Sequence, residues 1–242
     1  MPPIALLTDF GLSDPYVGIM KGVIVSCAPG VPILDITHSV GPQDVRQGAL
    51  LLDAAWRWFP EGTVFVCVVD PGVGTARRAV VVASADRLFV GPDNGLFGLL
   101  PAPVTREITA PWGLAARSRT FHGRDLFAPV AARLATGAPF REVGPLVSDP
   151  VPTALPEPDA DGGEVIWIDH YGNCITNLPP RDSGAVEVGE QVLPVHQAYG
   201  DVSEGAALAL TGSTDRLEVA VRGGSAAREL GIGLGTRVRW RP

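Results

Sequence analysis

The sequence predicts an α/β N-terminal domain with a mainly parallel sheet, followed by a small all-β, barrel-like C-terminal domain. Three observations predict it. Short apolar runs alternate with segments of helical period up to residue 69, a stretch rich in proline, acid and glycine occupies residues 148–163, and short strand-like runs recur at regular spacing beyond it. Strand and helix in alternation give parallel strands joined by crossover helices, whereas closely spaced short strands give a barrel or sandwich. The expected division is residues 1–150 for the α/β domain, 151–163 for the linker and 164–242 for the β-domain.

Ile4 to Thr8 is a short apolar strand ending at Asp9-Phe10-Gly11. Asp14 and Pro15 then suit the N-cap and first position of a helix, which Val17, Met20, Lys21 and Ile24 continue to about Ala28. Pro32 to Thr37 is the second strand, and Asp44 to Phe59 is a helix with an acid at its positive end. Thr63 to Val69 is β-branched and apolar throughout, as a strand covered on both faces should be, and it stops at Asp70 in the run VVDPGVGTARR. Ala79 to Ala83 and Leu88 to Val90 are two further strands, the second running into Gly91-Pro92-Asp93-Asn94-Gly95. Asp9, Asp70 and Asp93 thus all follow strand ends. That placement predicts a polar cleft along one edge of the sheet, where open α/β sheets take their ligands.

His122, in FHGRD, precedes a helix from Leu126 to Leu134 that stops at Gly137. A helix N-terminus disfavours imidazolium and keeps such a histidine neutral. After the linker, Glu164 to Asp169 is a strand leading into HYGNCITN. Further runs follow at 185–188, 191–195, 207–210, 217–221 and 237–240.

Composition narrows the function. A content of 46% hydrophobic residues in 242 supplies a core for a soluble globular protein. The start MPPIALLTDFG has no basic segment before a long apolar one, and no run approaches the about 18 apolar residues of a membrane span, so a cytoplasmic location without membrane partners is expected. Nineteen basic against 26 acidic residues, without a basic stripe, exclude a nucleic-acid partner. Cys27, Cys67 and Cys174 lack CxxC spacing, which argues against a disulfide frame or structural zinc. No HExxH or HxH spacing suggests a metal, and P-loop, GxSxG and post-strand GxGxxG patterns are absent. The polar candidates are Asp9, Asp70, Arg77, Asp93, Asn94 and His122 in the first domain, with Asp169, Asn173 and Ser213 in the second.

Six segments in order, TDFG with DPYVGIMKGVI, VVDPGVGTARR, GPDNGLF, TFHGRDLFAP, IDHYGNCITN and GSTDRLEVAVRGGSAA, resemble the S-adenosyl-L-methionine (SAM) hydroxide adenosyltransferases, relatives of the SAM-dependent fluorinase and chlorinase. The resemblance implies cofactor-free hydrolysis of SAM to adenosine and methionine, by attack of water or hydroxide at the ribose C5′. It implies a catalytic set of Asp70, Arg77 and His122. It further implies that Asp9 accepts from both ribose hydroxyls, that Asp14 and Asp169 lie near the methionine ammonium, and that Ser213 receives the carboxylate. Tyr171 would pack on adenine, while Asn173 and the Gly223 backbone read its edge. Asp70, Val73 and Gly123 stand where the halogenating relatives carry Tyr, Thr and Ser, and a carboxylate repels halide, so the pattern favours hydrolysis. Gln43 and Thr214 replace a tryptophan and an arginine of those relatives. A homotrimer with sites where first and second domains meet is also implied. A SAM or adenosine sensor, a halogenase and a metal-dependent hydrolase are the alternatives.

Overall fold

The computed structural model describes residues 1–115 and 118–241, and the chain divides into two units after Ala154. Unit one is a sheet with helices on both faces. Its strands are β1 (Ile4–Thr8), β2 (Ile33–Thr37), β3 (Val64–Val68), β4 (Ala79–Ser84), β5 (Arg87–Pro92) and β6 (Val104–Glu107), in the order β2-β1-β3-β5-β4-β6. The pairs β2/β1, β1/β3 and β3/β5 are parallel, whereas β4 runs antiparallel to both β5 and β6. The helices are α1 (Tyr16–Cys27), α2 (Val45–Ala55) and α3 (Ala128–Ala135).

Side chains alternate between two cores, as a pleated strand requires. Ile4 and Leu6 of β1 and Val64, Val66 and Val68 of β3 pack with Met20 and Ile24 of α1 and Val130 and Ala131 of α3. Ala5, Leu7, Phe65 and Cys67 face the other way, onto Ala49 and Leu52 of α2. Strand β3 is therefore apolar at every position and β1 at every position before Thr8, which is why they read as continuous hydrophobic runs.

Most expected elements are present, with three differences at this level. Helix α1 begins at Tyr16 with Pro15 at the cap position and no side-chain cap, so Asp14 is an exposed loop residue and not the expected N-cap. Strand β6, VTRE between proline-rich segments, was not expected, because an edge strand with one buried side chain carries little apolar signal. The expected Leu126 start of α3 is instead part of a π-helical turn, Gly123–Phe127, in which the Ala128 N–H bonds to the Gly123 carbonyl five residues earlier. Inserted π turns often accompany functional sites.

Unit two is a closed barrel of β7 (Gly163–Ile168), β8 (Cys174–Thr176), β9 (Ala185–Val188), β10 (Gln191–His196), β11 (Ala207–Thr211), β12 (Leu217–Val221) and β13 (Arg237–Arg241), ordered β10-β11-β12-β8-β7-β13-β9, with β10 also paired to β9. All neighbours are antiparallel except β10/β11. Closure leaves no free sheet edge. The interior is filled by Val165, Cys174, Val186, Leu217, Val219 and Val238 among others. Strand β8 and a short helix α4 (Ala226–Glu229) are too brief for any periodicity to announce them. No helix among the described residues is long and apolar enough to cross a membrane.

The cysteines give a chemical test of this packing. Burial pushes the Cys67 thiol far up and the Cys174 thiol to about 11, whereas Cys27 is exposed. Only thiolate reacts, so titration of native protein with a disulfide reagent at pH 8 should modify Cys27 alone, and the other two should react only after denaturation. Rapid native labelling of Cys67 would contradict the two-core sheet.

Candidate active site

Because β1, β3 and β5 are parallel neighbours, Asp9, Asp70 and Asp93 leave the sheet at one edge. Only the first two share a cleft. Asp9, Phe10, Tyr16, Gln43, Asp70, Val73, Phe121, His122 and Gly123 are among the residues around a cavity of about 320 Å³ in unit one. Asp93 does not belong to it: its Oδ2 accepts from Arg78 Nε at 2.7 Å and its Oδ1 from the Val151 N–H at 2.9 Å. Asn94 likewise donates from Nδ2 to the Val69 carbonyl at 2.8 Å. The expectation of one cleft holding all three aspartates is corrected, since Asp93 ties β5 to the segment following Asp149.

The centre of the cleft is a fork. Arg77 donates from Nε to Asp70 Oδ1 at 2.9 Å and from Nη2 to Asp70 Oδ2, forming a bidentate pair in which the side chains are 11% and 5% exposed. The same Nη2 lies 3.0 Å from His122 Nδ1. A guanidinium can only donate, so His122 accepts at Nδ1 and carries its proton on Nε2. The neutral imidazole expected from the helix N-terminus thus has a second and more direct cause. Phe127 covers the assembly, with Arg77 5.4 Å from its ring centre and the His122 ring edge-on to it.

Backbone shape makes this possible. Arg77 lies seven positions after Asp70, and the intervening loop reverses at Gly74, φ +77°, where any β-carbon would strike the Arg119 carbonyl. Close approach to Arg119 joins this loop to the one that carries His122. Beneath His122, Asp125 is fully buried, held by Arg124 at 2.5 and 2.9 Å and by the Ser118 N–H at 2.6 Å.

Asp9 is positioned from two sides. Its Oδ2 accepts from the Gln43 N–H at 2.8 Å, and Gln43 holds a left-handed backbone, φ +65°, that costs a non-glycine residue about 1 kcal/mol or more. Behind the turn, Thr8 Oγ1 receives the Phe10 N–H at 3.2 Å and meets the buried His38 Nδ1 at 2.9 Å. Phe10, Tyr16 and Phe121, which the residue pattern did not single out, form an edge-to-face trio with centroids 5.4–5.9 Å apart. Asp14 does not line this cleft and is exposed.

Unit two has its own cleft, about 670 Å³, and it brings Asp169, Tyr171, Asn173, Ser213 and Gly223 together. Asp169 organises the turn between β7 and β8: Oδ1 accepts from the Tyr171 and Asn173 N–H groups at 2.9 Å, and Oδ2 from Asn173 Nδ2 at 3.0 Å. Tyr171 stands 75% exposed, and Gly223, φ +71°, has a backbone that other residues would adopt only with strain. Tyr199, Glu218 and Arg228 line the same cleft and were not expected. Glu218 alone had a signal in the sequence, as a charge within the buried strand LEVAV. Among the described residues, no three His, Cys, Asp or Glu side chains converge to hold a metal.

Two family models match this chain, the SAM hydroxide adenosyltransferase N-terminal domain over residues 4–144 and the corresponding C-terminal domain over 163–239. The chain belongs to this family. It is similar to a protein from Thermus thermophilus named (R)-S-adenosyl-L-methionine hydrolase, at 46% identity over 99% of each chain. A more distant relative, a fluorinase from an Actinoplanes species, is 33% identical over 78% of this chain and 76% of its own. The solved structure of an uncharacterized conserved protein from Thermotoga maritima matches with a TM-score of 0.90 and 36% identity, covering 99% of this chain and all of that one.

Two measurements test the geometry. Arg77→Lys keeps the charge but loses the fork, so turnover should fall by about 10²-fold or more while the fold survives. Arg124 holds the Asp125 carboxyl below its ordinary 3.8 against the upward push of burial. A depressed carboxyl supplies stability that is complete above its ordinary value and is lost as the pH falls from there through the lowered value of the folded state. Asp125→Asn should therefore be less stable than wild type at pH 7 in urea titrations, with the gap closing below about pH 3.8. A gap unchanged down to pH 3 would show that the ionised carboxylate is not what holds the loop.

Proposed function

We propose that this chain hydrolyses SAM, in the form named in its relatives, (R)-S-adenosyl-L-methionine, to adenosine and L-methionine, with Asp70, Arg77 and His122 as the catalytic set. The observation that carries the reading is that Asp70 and His122, both hydrogen-bonded to Arg77, line one cleft with Asp9. In the reaction, a water oxygen forms a bond to C5′ as the C5′–S bond breaks. Sulfur keeps the bonding pair, and the leaving group is a neutral thioether that needs no acid. What remains is to hold the water in line and remove its proton.

The tautomer divides those tasks. His122 has Nδ1 engaged by Arg77, so its Nε2–H is the group that orients the water oxygen. Asp70 takes the water proton and passes it to solvent, and the bidentate contact from Arg77 keeps Asp70 aimed. The aromatic trio of Phe10, Tyr16 and Phe121 shields the reacting carbon from bulk water. Asp9 accepts from the ribose diol. In the barrel cleft, Tyr171 and Asn173 take adenine with the Gly223 backbone, and Ser213 takes the α-carboxylate. Asp169 holds the Asn173 amide in position for adenine. Asp14 reaches substrate only if its loop closes on it.

Halogenation is the second reading, because a fluorinase is among the relatives. Asp70 argues against it: a halide beside that carboxylate would be repelled. A division of labour supports the homotrimer, since ribose and reacting-carbon groups lie in one unit and adenine and amino-acid groups in the other. In it, the cleft of one chain and the barrel of a neighbour hold one substrate.

The deciding experiment incubates chelator-treated protein with SAM in oxygen-18 water containing halide. Adenosine labelled at the 5′-hydroxyl is expected, and intact SAM or halogenated nucleoside would overturn the assignment. Asp70→Asn should slow turnover by about 10²–10⁴-fold with little change in SAM affinity. A parallel loss of both would remove Asp70 from the chemical step.

A further inference from the structure

We propose that Glu218, held by Tyr199, is the acceptor for the α-ammonium of the substrate in the barrel cleft, and so the residue that selects for an amino-acid substituent on sulfur. This rests on the assignment of SAM as the substrate. Asp169, the residue that resemblance offers for the role, has both lone pairs of Oδ1 engaged by backbone N–H groups and one of Oδ2 engaged by the Asn173 amide. Its carboxylate faces its own turn. Glu218 is the other carboxylate lining the cleft.

Its surroundings point to a cation. Glu218 is the second residue of β12, paired with Leu210 of β11 and Ile175 of β8, and is only 5% exposed. A carboxylate so placed has lost most of its hydration and needs charged or hydrogen-bonding partners. The Tyr199 hydroxyl donates to Oε1 at 2.5 Å. Oε2 lies alongside Gly212, where an added β-carbon would come within 2.6 Å of it. Gly212 immediately precedes Ser213, which lines the same cleft as Glu218. With the α-carboxylate at Ser213, the ammonium one carbon away is the group that Glu218 receives. Burial, together with the negative charge of Asp169, also raises the proton affinity of Glu218, as expected of a site that an entering cation completes.

The test is a cycle of two enzymes and two substrates on the full-length protein. Wild type and Glu218→Gln are compared for SAM and for the analogue in which hydrogen replaces the α-amino group. Wild type should lose about tenfold or more in KM on moving to the deamino analogue. Glu218→Gln should show a similar KM loss for SAM and no further loss for the analogue. Equal losses on both substrates, or none on either, would overturn the proposal. So would a loss that instead tracks an analogue lacking the 6-amino group of adenine, which would move Glu218 to the adenine subsite. If Glu218→Gln does not fold, Tyr199→Phe gives the same comparison, with a smaller loss confined to SAM expected and an equal loss on both substrates overturning the proposal. Should wild type release no adenosine from SAM, the hydrolase reading fails, and calorimetric binding of the same two ligands still decides the role of Glu218.

Discussion

One guanidinium determines the chemistry of the first cleft. Arg77 binds both oxygens of Asp70 and turns its remaining reach to His122, and it can do so because its donors form a rigid planar fork that never deprotonates. Three consequences follow from a single group. Asp70 is held in one orientation, His122 is restricted to the neutral tautomer with its proton on Nε2, and the pair's charges compensate each other where water is scarce. A buried pair of this kind contributes little net stability, but losing one partner leaves the other uncompensated, at about 3–5 kcal/mol. Function and folding therefore constrain Asp70 and Arg77 together.

Neighbouring arginines illustrate how the sheet sorts its side chains. Arg77 and Arg78 are adjacent in sequence and lead into an extended strand, where successive side chains point to opposite sides. Arg77 turns to Asp70 and His122. Arg78 turns to Asp93 and Asp149, with Nε and Nη1 each 2.7 Å from a carboxylate. One loop thus supplies a group of the first cleft's hydrogen-bonded trio and a structural clamp at the same time. The clamp fixes the strand end from which Arg77 departs.

The two clefts differ in character. In unit one, few charges stand beside three aromatic rings, an environment that strips water from a nucleophile. In unit two, a turn organised by Asp169 presents amide, hydroxyl and backbone groups around a larger opening, as recognition of a polar molecule requires. Transfer from a sulfonium carries its own driving force, so positioning and selective binding are what the protein must provide.

The alternation of β1, α1, β2, α2 and β3 was legible in the sequence because buried strands and amphipathic helices have different apolar periods. The short strands of the barrel were legible because turns punctuate them regularly. Asp70, Arg77 and His122 were legible as motif residues, as were Asp9, Asp169, Asn173 and Ser213. Sequence could not reveal that Asp93 leaves the cleft, since a strand-end aspartate looks the same whether its partner is a ligand or Arg78. Nor could it reveal Tyr199, or that Asp169 serves its own turn while Glu218 faces the cavity. Those assignments depend on which donor lies within 3 Å of which oxygen. Periodicity records burial along one chain segment, whereas hydrogen bonding between segments far apart in sequence is decided only when the chain has folded.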